Sequence, residues 1–532
     1  MDIKCHALDN WKACRSALTT AIQSYLAACA DLRLTCSQIQ RPHKTRREAE
    51  PILLAIDAEL AGLAYEEEEL GKARVSLSVL RNTSSALAPV HSLPPEVLTR
   101  IFLMSRYRSN GLAYGHTFAQ VNAYWRAAAI NLPALWTYID ITPAQLNYEY
   151  ATLLLSRSSG LPIHLDISSE GMVDQWDGYP ARPAWEEFLA SASQRVQTLN
   201  IFDSFRTPEI LLYEVMILLL RHGSPGVLKT LCIKRPDGDE YANLEGFPIS
   251  QSDTILRSIT MLHLGDIRLP WTSTAYHNLI DLRLQFSEVD VREISTSQLA
   301  DILGASPGLT TLKLDYITIN PSDDWDAENI VRLAHLEVLC LLYLSYDSWV
   351  ELVSVLSLSD CLGPLEVGIC IQHYGDGFSE ISHLVRDFLH GARVKTLAIA
   401  SFRDDDPQSA LSLSATIPSL ENLMLSDCNL LNLRRDKVIG EEPKIKVDTP
   451  SRLPHLFLAS SKLDLDKLKL IVSVYGVETL HLDNVQSWLI SDRGPPRDEL
   501  RTALLDAFPH LACVITDEDT TLKWPCRTVF DW

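Results

Sequence analysis

Residues 420–430 read LENLMLSDCNL. Leu423 and Leu425 lie two apart, so in an extended strand they share one face, and Leu420 precedes them by three. One strand with a single apolar face cannot bury it alone, so the stretch predicts neighbours of its own kind. Those neighbours are present from Val196 onward as VQTLNI, LKTLCI, ITMLHL, LIDLRL, LTTLKL, LEVLCL, LGPLEV, VKTLAI, LENLML, LPHLFL and VETLHL, with a fading LACVI last. Successive copies begin roughly 20 to 33 residues apart, the spacing of a repeat built from one small structural unit.

Before many copies stands a helical segment ended by Gly or Pro, as in ILLLRHGSPG, LADILGASPG and VRDFLHGAR. Helix, turn and strand therefore return together. The pattern resembles the leucine-rich repeat, and 420–430 fits its consensus, with Cys428 at the Asn/Cys position. LWTYIDI and LPIHLDI, at 135–141 and 161–167, extend the strands toward the N-terminus. The expectation is an α/β leucine-rich-repeat solenoid over residues 139–532.

In such strands the leucines face the core and their neighbours face outward. The central outward residue becomes His263, Arg283 and Lys313 in three consecutive copies, about 5 Å apart per strand, with Lys234 just before them. A basic row in an acidic chain suits an acidic or phosphorylated protein segment. It suits equally a solvated sheet face whose charges pair with Asp281 and Asp315. Farther along, Ala398, Met424 and Phe457 form an apolar stretch fit to take a hydrophobic side chain.

Residues 1–90 read as a helical region. Trp11, Leu18, Ile22, Tyr25, Cys29 and Leu32 mark a first helix, RPHKTRRE breaks it, and Leu53, Ile56, Leu60, Leu63, Leu70 and Leu77 alternate by threes, fours and sevens in a second. The two helices either pack on their surroundings or engage a partner through a short coiled coil.

Residues 92–102, SLPPEVLTRIF, place Pro95 in a helix's first turn and Glu96 at its positive end, followed by Val97, Leu98, Ile101 and Phe102. A further helix sets Phe118, Val121, Trp125 and Leu132 on one face before PALW at 133–136. LPPEVLTRIF, VNAYWRAAA and PALW, in that order, resemble the F-box, and the large fungal branch of that family in particular. The resemblance assigns residues 91–138 to an F-box module and implies docking on a Skp-type adaptor, and through it on a cullin scaffold, with Leu93, Pro94, Val97, Leu98, Ile101, Val121, Trp125 and Trp136 as adaptor-binding or core positions. It further implies a non-catalytic receptor whose repeat surface binds an unidentified protein for ubiquitination. The same helices could instead cap the repeat array of a scaffold that joins no ligase.

The 532 residues exceed what one core accommodates, and 46% hydrophobic with 22% charged residues is globular composition. A net charge of −21 disfavours nucleic acid and anionic membranes as partners. The most apolar stretch, at 331–356, is broken by Arg332, His335, Glu337 and Asp347, and MDIKCHALDN lacks the organisation of an export signal, so a soluble cytoplasmic or nuclear chain is expected. Eleven cysteines without a CxxC pair suggest buried thiols rather than disulfides or zinc. GASPG at 304–308 matches a nucleophile elbow, but its strand follows the serine instead of preceding it. YGDG at 374–377 lacks a phosphate-loop lysine, and Asp404, Asp405, Asp406, Asp464 and Asp466 lack the rest of a calcium loop. No enzyme chemistry and no cofactor are expected. The fold class expected is α+β: an N-terminal helical region and F-box module, then the α/β solenoid.

Overall fold

The computed structural model describes residues 2–38, 46–83, 93–105, 115–142, 148–168, 182–202, 209–234, 242–243, 249–287, 292–326, 330–371, 378–400, 408–426, 453–459, 461–483, 486–487 and 497–516. The chain divides into two compact units, Met1–Leu93 and Pro94–Trp532. Cys428, YGDG and Asp404 to Asp406 lie outside the described residues.

The first unit consists of helices α1 (Asp2–Gln38) and α2 (Arg46–Thr83). One groove is lined by Trp11, Leu18, Ile22, Leu70 and Leu77, and another by Tyr25, Leu32, Ile52 and Leu63, so the helices run antiparallel. Tyr25 Oη donates to Glu59 Oε1 across them at 2.7 Å.

In the second unit, α3 (Pro95–Ser105), α4 (Gly115–Val121) and α5 (Ala123–Ile130) lead through a 3₁₀ turn, Pro133–Trp136, into a parallel sheet. Its fourteen strands are hydrogen-bonded in chain order. They are β1 (Tyr138–Ile141), β2 (Ile163–Ser168), β3 (Val196–Phe202), β4 (Thr230–Lys234), β5 (Met261–Gly265), β6 (Asp281–Gln285) and β7 (Thr311–Asp315). The series continues as β8 (Val338–Leu344), β9 (Leu365–Ile371), β10 (Val394–Ala400), β11 (Asn422–Ser426), β12 (His455–Ala459), β13 (Thr479–Asp483) and β14 (Ala512–Thr516). Parallel neighbours need a crossover, and helices supply it at most steps. Helices together with one large parallel sheet agree with the α+β class.

The repeated leucines explain the register. Leu165, Leu199, Leu231, Leu262, Leu282 and Leu312 stand opposite one another on successive strands, each at most 1% exposed. A slip of one residue would turn that row outward, so burial fixes the pairing. Between β5 and β6 the chain is too short for a helix; a 3₁₀ turn, Thr274–Tyr276, replaces it, with Tyr276 Oη donating to the Leu269 carbonyl at 3.1 Å.

One register expectation is corrected. Taking LGPLEV as the copy at 362–367 puts Glu366 beside Cys340, but Gly368 occupies that place, opposite Cys340 and Ala398. Leu362 is 67% exposed, whereas Leu365, Val367 and Ile369 are fully buried, so the apolar face starts three residues later than that reading.

The GASPG serine is structural. Ser306 Oγ donates to the Tyr276 carbonyl at 2.9 Å and accepts from the Leu279 N–H at 3.1 Å, stitching the end of the helix Thr296–Gly304 to the preceding turn. Asp464 caps the helix Leu465–Tyr475 by accepting from the Lys467 N–H. Among the described residues no cluster of His, Cys, Asp and Glu is arranged to hold a metal, and no helix is long and apolar enough to cross a membrane.

Candidate functional site

Helix α3 presents two stripes. At about 100° per residue, Val97, Ile101 and Met104 project together, while Leu98 and Phe102 project about 100° away. Leu98 and Phe102 are completely buried; Val97, Ile101 and Met104 are 43%, 40% and 74% exposed. Pro94 is exposed, Leu93 and Trp125 are half-buried, and Val121, closing α4, is also exposed.

The inward stripe builds a small aromatic core. Phe102 stacks on Phe118 with centroids 4.4 Å apart and meets Trp125 at 5.1 Å. Asn122 caps α5 by accepting from the Trp125 N–H at 2.8 Å, which sets where the indole enters. Trp136 is buried, donates through Nε1 to the Ala129 carbonyl at 2.8 Å, and carries the Arg157 guanidinium over its ring at 4.6 Å. Gly115 lets α4 approach it: a Cβ there would meet the Trp136 ring at 3.0 Å. Leu98 and Trp136 are therefore interior supports. The surface left over for another molecule is Val97, Ile101, Met104 and Val121.

The sheet's outward face behaves differently along its length. His263, Arg283 and Lys313 do stand side by side in register on β5, β6 and β7. They do not form an open cationic row. Arg283 grips Asp281 through Nε at 2.9 Å and Nη2 at 2.8 Å, and His263 Nε2 lies 3.2 Å from the same carboxylate. Burial pushes the Asp281 carboxyl up, but the bonds and charges of His263 and Arg283 outweigh it and hold the group below its ordinary value. Lys313 has no exposed surface, because its strand neighbours and Cys340 enclose it. Lys234, half-buried at the end of β4, lies opposite the exposed Phe202 and not in that row.

Met424 and Phe457 are each 5% exposed and belong to a packed cluster with Cys340, Leu342, Cys370 and Ala398. Phe457 stacks on His481 with centroids 4.4 Å apart, and burial pushes the Cys340 thiol up to about 12. This stretch is closed packing and offers no receiving groove.

The accessible part of the outward face lies toward β1 to β4, which the sequence reading did not single out. Asp140, Asp166 and Asn200 share the central position on β1, β2 and β3. Asn200 Nδ2 donates to Asp166 Oδ1 at 2.7 Å, and His164 Nδ1 lies 2.9 Å from Thr198 Oγ1 while its ring stacks on Tyr138. Burial raises the Asp166 carboxyl; the Asn200 bond offsets part of this and Asp140 adds to it. The signal was available, since YIDI and IHLDI carry these aspartates at the same alternation as Arg283.

No family model and no curated protein matches the chain. Among solved structures the chain is similar to one titled "Crystal structure of Rad7 and Elc1 complex in yeast", at 11% identity, covering 86% of this chain and 97% of that one, with a TM-score of 0.35. A likeness this loose says nothing of what either chain binds.

Proposed function

We propose that the chain is a non-catalytic receptor of the F-box type, in which α3 to α5 dock a Skp-type adaptor and a leucine-rich-repeat solenoid presents a protein for ubiquitination. The observation that carries this reading is the outward stripe of α3. A helix of 11 residues whose inward stripe is already filled retains three large apolar side chains in water. Isolated exposed apolar residues are ordinary, but an aligned set on one face marks an interaction surface. Leu98, Phe102 and Trp136 hold that face in place, so a partner meets a preformed surface and little ordering cost opposes binding.

On this reading catalysis belongs to other subunits and the repeat sheet acts as a rigid spacer. The half-exposed face near Asp166, Asn200 and Lys234 is the surface proposed for the target protein, with His263 and Arg283 at its border.

Co-expression with a Skp-type adaptor and capture through a tag on either protein tests the reading. Capture of the adaptor by the parent chain is expected, and Val97→Asp with Ile101→Asp should abolish it while the circular dichroism spectrum stays unchanged. Undiminished capture by that double variant would refute this placement of the interface. A scaffold capped by α3 to α5 would capture no adaptor at all.

A further inference from the structure

The first unit holds two helices of 37 and 38 residues, each about 55 Å long, that leave their apolar side chains in water. Over residues 6–35 and 50–81 only Leu18 and Tyr25 reach half-burial, and none is buried. Trp11 is 50% exposed, Leu60 59% and Leu70 47%. Helices in water are stabilised mainly by packing an apolar face, so a pair this exposed lacks the contacts that would hold it.

Charge says what covers it. In α2 an acidic block, Glu66 to Glu69, is followed toward the C-terminus by Lys72, Arg74 and Arg81. Arg15 of α1 lines the same groove as Arg74 and Arg81, adding to the basic end. Within one helix Lys72 reaches back to Glu68 at 2.9 Å and Glu69 at 2.8 Å. These exposed pairs contribute little by themselves. Both halves of the pattern sit on one helix, which is what a two-fold interface between identical chains requires. Laid head to tail, each copy's acidic block faces the other's basic end; laid head to head, like charges meet.

We infer that the α1–α2 hairpin is a self-association element, pairing head to tail with the hairpin of a second copy of this chain into an antiparallel four-helix bundle. Leu53, Leu60, Leu70 and Trp11 enter its core, and the alternation of charge sets its register. This inference does not depend on adaptor docking.

Light scattering on the full chain is the first test. The parent should have twice the monomer mass of 59.6 kDa at micromolar concentration. One variant carries Glu66→Lys, Glu67→Lys, Glu68→Lys and Glu69→Lys; another carries Lys72→Glu, Arg74→Glu and Arg81→Glu. Each alone should associate at least tenfold more weakly, and an equimolar mixture should recover the parental mass. Because either variant could lose helix, carbodiimide cross-linking of the parent, prepared as mixed light and heavy isotopes, gives an independent readout. Cross-links between Lys72 and Glu66 or Glu67 should join light to heavy chains. A monomeric parent, variants that dimerise unaided, or cross-links confined to single chains would each overturn the inference.

Discussion

Val97 and Leu98 are neighbours with opposite duties. Leu98 fills the module, so Leu98→Ala should cost about 2–5 kcal/mol in denaturant unfolding, whereas Val97→Asp, on an exposed site, should shift stability by about 0.5 kcal/mol or less. Equal losses would mean that the two stripes of α3 are not distinct. Asp281 supplies a titratable counterpart. Its folded pKa is lowered, so its stabilisation is complete above the ordinary value of 3.8 and is lost as pH falls below it. Asp281→Asn should therefore cost roughly 1.5–3 kcal/mol near neutrality, and the gap from the parent should narrow by about pH 3. A gap unchanged in acid would contradict the Arg283 and His263 pairing. At this scale the sequence showed which residue types stood in the row, and Asp281 was a foreseeable partner. It did not show that Lys313 would be enclosed, because enclosure depends on strands far away in the chain.

At the scale of elements, a helix, a turn and a strand recur because each strand has one leucine face to bury. The turns between them carry more of the stability than their exposed composition suggests. Ser306 serves two backbone groups of the preceding repeat, so Ser306→Ala, leaving the buried Leu279 N–H without its acceptor, should cost about 1–3 kcal/mol in thermal unfolding. A neutral effect would remove that role. The strands were legible since alternation of Leu with other residues is local information. The shift of the 362–367 copy was not, because Leu362 and Leu365 satisfy the same spacing and only the pairing of Gly368 with Cys340 and Ala398 decides between them. The paired helices of the first unit were likewise readable from their spacing. Their exposure was not, since a three-four alternation is the same whether its partner is in the chain or outside it.

At the scale of the second unit, a sheet hydrogen-bonded in chain order buries one continuous leucine face and leaves the other to vary. That other face is polar and half-open near β2 and β3, and closed by packing from Lys313 to Phe457. Beside the sheet, α3 keeps an apolar stripe outside its own core, which the surrounding chain leaves in water. Hydrogen exchange of the full chain, with and without purified Skp-type adaptor, tests whether a foreign polypeptide covers that stripe. Slowed exchange confined to residues 95–105 and 115–121, with the sheet amides unchanged, is the expected result. Unaltered exchange in both helices at saturating adaptor would contradict it.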